Sequence, residues 1–490
     1  MPTVEEVKTH DNEEDCWIII HGKAYNVTDF LDEHPGGKDI ILKYAGRDAT
    51  KAFDVVHPRD MVDHLAEENH LGDVEGDMEL VAPDDADEED EQTEEEIKRQ
   101  ELISLKPDLS KILNLFDFEL VARQIMTNNG WAYYSSGADD EITLRENHLA
   151  YQQIFFRPRI LINVSNVDLS TTMLGCPSKL PFYVTATALG KLGHADGEKI
   201  LTRACGTSGI IQMIPTLASF SFDEIADEAI DGQNQWFQLY VNSDRKVTER
   251  IVRHAEERGI KGLFITVDAP ALGRREKDMR SKFSSDQDSN VQKINEKESK
   301  QIDRNQGAAR AISSFIDTSL NWEDIKWFQS ITKMPIILKG VQRWEDAVRA
   351  AEIGCSGIVI SNHGGRQLEF APAPVEVLAE IEKFLIFVDG GIRRATDIMK
   401  LLSLGCNGVG IGRPFLYAMS TYGQEGVEKL FDILRDELEM NMRLIGATKI
   451  DDLNESFVNI KGTGKRTIPN DYLFNSVYEP LGSSNFKPKL

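Results

Sequence analysis

From position 181 onward, short apolar runs alternate with longer stretches in which apolar residues recur at helical spacing. The runs are 181–185, 210–214, 236–241, 262–267, 335–339, 357–360, 386–388 and 408–411. Continuous rather than alternating apolar character marks strands buried on both faces, as in a parallel sheet. Eight such strands separated mostly by helix-length segments spell a (β/α)8 TIM barrel over residues 181–440. A doubly wound dinucleotide fold competes less well, because no GxGxxG opens a helix after a strand. One spacer is too long: residues 280–306 are polar throughout and predict a mobile excursion between strands four and five.

The N-terminal part has a different rhythm. Residues 1–77 predict a small α+β unit: short apolar or alternating runs at 16–20 and 23–27, then a helix through Ile40, Ile41, Tyr44 and Ala45, and another over 49–53. Residues 84–91 are almost all acidic and repel one another, so 78–108 is an exposed hinge or linker, regaining a helical pattern from Glu95. The second unit spans 109–461, with a helix over 116–123 for which Asp117 is a candidate cap. The tail 462–490 has little periodicity and is expected to wrap a neighbouring subunit or its own barrel.

Composition narrows the function. At 490 residues the chain holds more than one core. A formal net charge of -26 argues against nucleic acid and suits a basic protein partner. No run of 18 apolar residues is present, so no membrane span is expected. Five irregularly spaced Cys give neither a disulfide framework nor a metal cluster. The acidic N-terminus lacks a targeting signal, which predicts a cytosolic protein, or a mitochondrial one whose presequence has been removed.

The candidate chemistry lies at the C-terminal ends of the barrel strands, where such barrels keep their active sites. Strand six runs into Ser361-Asn362-His363-Gly364-Gly365-Arg366-Gln367. His363 with Asp268, at the end of strand four, forms an acid–base pair, since a carboxylate stabilises the imidazolium once it has gained a proton. Arg366 is a carboxylate clamp, Arg275 a second cation on the same rim, and Tyr133 and Tyr240 supply hydroxyls to the substrate. Strand one ends in the small residues Ala186, Thr187 and Ala188, on whose backbone a flat ring can lie. Strand seven gives Asp389-Gly390-Gly391-Ile392-Arg393 and strand eight Gly412-Arg413, a phosphate site by chemistry. A nucleotide with one terminal phosphate, such as FMN, would then lie over the barrel centre, where Lys339 stabilises charge that builds on reduction. In the first unit, His34 and His57 each stand beside a Pro next to apolar helical positions, a pattern suited to axial haem ligands.

Asp15-Cys16-Trp17-Ile18-Ile19, Tyr25 to Phe30, His34-Pro35-Gly36-Gly37 and His57-Pro58 make residues 1–77 resemble the cytochrome b5 family. That resemblance implies haem b held by His34 and His57, with His10, His21, His64 and His70 on the surface. Residues 109–480, with the 361–367 segment as signature, resemble the FMN-dependent L-2-hydroxyacid dehydrogenase/oxidase family. This implies His363 as base, Asp268 as its partner, Arg366 and Tyr133 on the substrate carboxylate and Tyr240 on its hydroxyl. It also implies Lys339, Gln238 and Thr266 on the isoalloxazine, with Ser361 nearby, and Asp389, Gly391, Arg393, Gly412 and Arg413 on ribityl and phosphate. Pro215 departs from that family, which often has a Ser there; Pro offers neither a hydroxyl nor an N–H.

The two resemblances in this order imply oxidation of L-lactate to pyruvate, with electrons passing from FMN to haem b and on to cytochrome c, in a homotetramer, located in the mitochondrial intermembrane space if a presequence has been removed and in the cytosol otherwise. Ala188 and Leu217 would line a side-chain pocket sized for methyl. The alternatives are an FMN-dependent L-2-hydroxyacid oxidase, a mandelate-type dehydrogenase, or a haem-binding electron carrier with an inactive barrel. Whether the base takes the Cα proton or the hydroxyl proton stays open.

Overall fold

The computed structural model describes residues 1–31, 38–56, 61–62, 65, 69–76, 94–283, 316–381 and 384–462. His34, His57, His64, the acidic run 84–91, the greater part of the 280–306 excursion and the tail from 463 lie outside the described residues.

The first unit has helices α1 (Val4–Val7), α2 (Lys38–Leu42) and α3 (Thr50–Val56). Its sheet has strands β1 (Asp11–Asn12), β2 (Asp15–Ile20), β3 (Lys23–Asn26) and β4 (His70–Asp73), in that order and antiparallel throughout. The two-residue period of β2 splits its apolar side chains between two cores. Cys16, Ile18 and Ile20 join Tyr25, Leu31, Ile41 and Val62 on one face, while Ile19 meets Val4, Val7 and Ala24 on the other. The α2 helix stops at Leu42, short of the predicted span, and Tyr44 and Ala45 continue as turns hydrogen-bonded to Ile41 and Leu42. His21 and His70 are exposed as expected. His10 is not a free surface residue: its ring stacks on Trp17 at 3.6 Å and its Nδ1 lies 2.6 Å from Asp15.

The predicted hinge contains α4 (Glu94–Ser104), so its C-terminal part is structured. Leu102 and Ile103 pack on the barrel unit, and Arg99 donates from Nε to the Ile125 carbonyl at 2.9 Å. Helices α5 (Leu115–Ile125), α6 (Asn128–Ser135) and α7 (Ile142–Gln152) follow. Asn114, not Asp117, is the N-cap of α5; Asp117 sits in the first turn and accepts from the Asn114 N–H, completing a capping box.

Eight parallel strands then close a barrel: β5 (Phe182–Val184), β6 (Ile211–Pro215), β7 (Gln235–Leu239), β8 (Leu263–Thr266), β9 (Ile336–Val341), β10 (Gly357–Ile360), β11 (Ile386–Asp389) and β12 (Gly408–Ile411). The last pairs with the first through Val409–Phe182 to Ile411–Val184. Strand ends differ from the sequence reading by no more than two residues. At β9 the register shifts between Lys339 and Val341. Gly340 there has φ +111, and a Cβ on it would come within 2.5 Å of the Asp268 Cβ. Tyr183, Trp236, Phe264 and Phe387 fill the barrel floor, with Trp236 and Phe264 at 4.9 Å. The interior is therefore plugged below and open only at the strands' C-terminal end. The polar excursion begins as a helix, Glu276–Phe283, rather than as irregular chain. Among the described residues no helix is long and apolar enough to cross a membrane.

Candidate active site

All eight strands deliver residues to one cleft at the barrel mouth, about 1070 Å³ of empty space, part of it open to solvent. Tyr133 enters from α6 and Arg275 from the segment just before the Glu276–Phe283 helix. Every barrel residue singled out from the sequence lines this cleft except Asp268 and Ser361, which stand directly behind it. Pro215 and Leu217 line it too. The sequence reading did not select Tyr134, Leu272 or Leu416, which are also in the wall. Leu272, in the loop after β8, and Leu416, in the helix Arg413–Ile445, carry no chemical signature to find them by, and nothing in the sequence separates Tyr134 from its neighbour Tyr133.

His363 Nδ1 lies 3.0 Å from Asp268 Oδ1, and Nε2 lies 3.1 Å from the Tyr240 hydroxyl. An ionised carboxylate only accepts, so the ring proton sits on Nδ1 and the Nε2 lone pair faces Tyr240 and the cleft. The Asp268 side chain is fully buried, and its Oδ2 has no donor among the described residues. Burial opposes the Asp268 carboxylate, but the charge and hydrogen bond of His363, with Lys339, outweigh it and hold its pKa below the usual value. Burial lowers the His363 pKa; Asp268 resists the shift, and Lys339 and Arg275 add to it. The resting pair is thus a neutral imidazole on an ionised carboxylate. A base must be unprotonated to act, so its activity falls as pH drops through its pKa. In a pH profile of kcat/KM, the acid limb should have its midpoint below the ordinary His value of 6.5. A midpoint well above that value would contradict the assignment.

Beside this pair lies a surplus of positive charge. Arg366 donates from Nη1 to the carbonyls of Tyr133 (2.7 Å) and Ser136 (2.8 Å), and its guanidinium lies 5.0 Å from the Tyr133 ring centre. Burial, then the neighbouring Arg275, press its pKa down to about 9, so it remains cationic at neutral pH. Arg275 is buried, and its Nε has no partner among the described residues. Two buried cations without an ion-pair partner shown for either disfavour each other until an anion sits between them. A carboxylate accepting a bidentate bond from Arg366 meets that need.

The floor and the far end are built for a different ligand. Lys339 Nζ lies 3.4 Å from Asp389 and 3.3 Å from Ser361 Oγ. Burial opposes its charge most, yet Asp389 and Asp268 together raise its pKa and keep it cationic. Gln238 donates to Thr266 Oγ1 (2.9 Å) and accepts from the Thr216 N–H (3.2 Å), which fixes its amide against the cleft. Arg413 donates to the carbonyls of Tyr134, Gly364 and Ser136, and no carboxylate lies within ion-pair distance of it among the described residues. Arg393 is held differently, by Glu119 at 3.1 Å and the Ile392 carbonyl. Gly390 and Gly391 bring bare backbone to the surface beside them. A buried ammonium at the floor, small residues along β5's end and an uncompensated guanidinium at the far end fit a flat ring with a phosphate arm, so the residues present accept FMN. For haem, the described part of the first unit supplies an apolar wall of Leu31, Ile41, Ala45, Phe53 and Val62. Leu31 and α3 are where the chain leaves towards His34 and His57.

Comparison with known proteins agrees with both halves. A family model described as FMN-dependent dehydrogenase matches residues 122–460, and one described as cytochrome b5-like heme/steroid binding domain matches residues 3–75. An L-lactate dehydrogenase (cytochrome) of Wickerhamomyces anomalus is 54% identical over 99% of this chain and 85% of its own length. One from Saccharomyces cerevisiae is 52% identical over 97% of this chain and 82% of its own. The solved structure of the recombinant flavin-binding domain of baker's yeast flavocytochrome b2 superposes with a TM-score of 0.70 at 51% identity, covering 81% of this chain and all of that one.

Proposed function

Because the chain belongs to the FMN-dependent dehydrogenase family and carries a cytochrome b5-like domain ahead of its barrel, we propose that it is an L-lactate:cytochrome c oxidoreductase. It oxidises L-lactate to pyruvate, and the electrons pass from FMN to haem b and then to cytochrome c. The observation that carries this reading is the His363–Asp268 pair set beside Arg366, which has no ion-pair partner among the described residues, and above the buried Lys339. When bound, FMN supplies a two-electron acceptor and haem b a one-electron relay.

The chain's own residues do the rest. Arg366 takes the substrate carboxylate, with Tyr133 and Arg275 beside it, and so fixes which face of Cα meets the base. His363 receives the substrate proton at Nε2, and Asp268 stabilises the imidazolium that results. Tyr240, already 3.1 Å from Nε2, is placed to hydrogen-bond the substrate hydroxyl. Lys339 holds positive charge at the floor, where negative charge develops. Ala188 and Leu217 leave room for methyl. Leu217→Ala should therefore raise kcat/KM for larger 2-hydroxy acids relative to L-lactate by about 10–200-fold, the range for a small change in an apolar pocket. Steady-state rates with L-lactate and L-mandelate check it; an unchanged ratio would remove Leu217 from the pocket.

A net charge of -26 favours a basic acceptor at low ionic strength, and salt should slow acceptor reduction. Assembly as a homotetramer and a mitochondrial intermembrane-space location are part of the proposal. Ile160 (81% exposed), Leu161 (99%) and Leu444 (67%) support the first, as an apolar surface that a neighbouring copy would cover. The cytochrome c acceptor supports the second. Sedimentation of the purified holoenzyme tests the assembly. Assay of cytochrome c reduction against oxygen uptake, with L-lactate, D-lactate, glycolate and L-mandelate, tests the activity. Fast acceptor reduction with L-lactate and little oxygen uptake is expected; peroxide release at the same rate would make the protein an oxidase.

A further inference from the structure

The loop that bears the base is held in a backbone conformation it would not adopt by itself. His363, Gly364 and Gly365 have φ of +59, +64 and +73, three consecutive residues in the left-handed region, the first with a side chain. That region is unfavourable for any residue with a Cβ and persists only where surrounding contacts over-determine it. The Asn362 side chain supplies them. Its Oδ1 accepts from the Gly365 N–H at 3.0 Å and from Asn147 Nδ2 at 2.8 Å. Its Nδ2 donates to Asn147 Oδ1 at 2.6 Å and to the Pro372 carbonyl at 3.0 Å. Two donors and two lone pairs are all used, and reversing either amide would set like atoms against each other. Both Asn residues are 1% exposed, so water cannot replace a lost partner.

Asn147 lies on α7, outside the barrel and outside the cleft wall. That helix is tied to the same loop a second time, because Glu369 accepts from the N–H groups of Ile142 and Thr143 at its first turn. It is also tied to the next loop, where the Tyr151 hydroxyl donates to the Gly390 carbonyl at 3.0 Å. A Cβ on Gly391 would run into the Asn147 carbonyl oxygen. One helix therefore spaces the loop of the base against the loop at the proposed cofactor's ribityl end.

We propose that Asn147 is a positioning residue for catalysis: through its reciprocal amide pair with Asn362 it holds His363 in the left-handed turn that aims Nε2 into the cleft. The inference rests on His363 acting as the base in the proposed reaction. Anaerobic mixing with L-lactate tests that reading separately: flavin must bleach in wild-type holoenzyme and bleach far more slowly in His363→Gln. With Asn147→Ala and Asn147→Leu, and rates normalised to bound FMN, the first-order rate of bleaching at saturating L-lactate should fall about 100-fold, as expected for a base displaced by about an ångström. The substrate concentration giving half the maximal rate should change little, because the carbonyls of Tyr133 and Ser136 hold Arg366 independently of Asn147. Adding Asn362→Ala to either variant should slow it by less than Asn362→Ala slows the wild type, since the two residues share one amide pair. Bleaching within twofold of wild type, or a loss that multiplies with that of Asn362→Ala, would overturn the proposal. So would failure of both Asn147 variants to retain FMN, which would make the residue a prop of the whole barrel mouth.

Discussion

Replacing His363 by Gln lowers kcat for L-lactate by roughly 10⁴-fold, the upper end of what a positioned base contributes. The size follows from what remains. Gln has about the reach of the imidazole and can donate to Asp268, so Asp268 keeps a partner and Lys339 and Arg366 keep their places. No other neutral base stands at the His363 position: Tyr240 holds its proton, since burial and then the Asp268 charge raise its pKa. Binding should persist, because the carboxylate is held by a different residue; KM should move by far less than kcat. Asp268→Asn should also lose much of the rate, since an amide partner gives the imidazolium no charge. Steady-state kinetics with an artificial acceptor check both, on protein shown to carry FMN and haem. A His363→Gln enzyme within tenfold of wild type would place the base elsewhere.

Replacing His34 or His57 by Ala abolishes reduction of cytochrome c while leaving reduction of the flavin by L-lactate intact. Two imidazoles that saturate the iron are the only protein bonds the family resemblance gives the haem, and an apolar wall cannot replace either. Among the described residues, none of the first unit lines the barrel cleft. The expected protein has flavin bands without haem bands, bleaches with L-lactate and still reduces a small dye. Retention of cytochrome c reduction in a haem-free variant would show electrons leaving the flavin directly. Loss of flavin reduction as well would show that the barrel needs the first domain to work.

Much of this was legible in the sequence, for physical reasons that differ by element. The barrel strands stand out because a parallel strand covered on both faces must be apolar throughout, which gives eight short runs with helical spacers. His363 and Arg366, the proposed base and carboxylate clamp, reach the cleft because a barrel puts strand-end residues in its mouth, so sequence position converts directly into site position. Asn147 gave no such signal: it sits in an ordinary helical stretch, and its partner is 215 residues away. The same holds for Arg393, legible as a cation at the right strand end, yet paired with Glu119 on α5. Helix α4 is legible from Glu95 onward, where the charges and Leu/Ile residues regain helical spacing after the acidic run, and Leu102 and Ile103 give it a face to bury. Cap assignments missed by three residues at α5 because Asn114 and Asp117 are both good capping residues and only geometry separates their roles.

A single path carries the electrons, from L-lactate through the barrel to the haem. An anaerobic absorbance titration of the full-length holoenzyme with L-lactate, repeated with D-lactate, tests it most directly. The prediction is that flavin bands bleach and reduced-haem bands grow together with the L isomer, and that neither changes with the D isomer. Bleaching of the flavin while the haem stays oxidised, or no change with L-lactate at all, would contradict it.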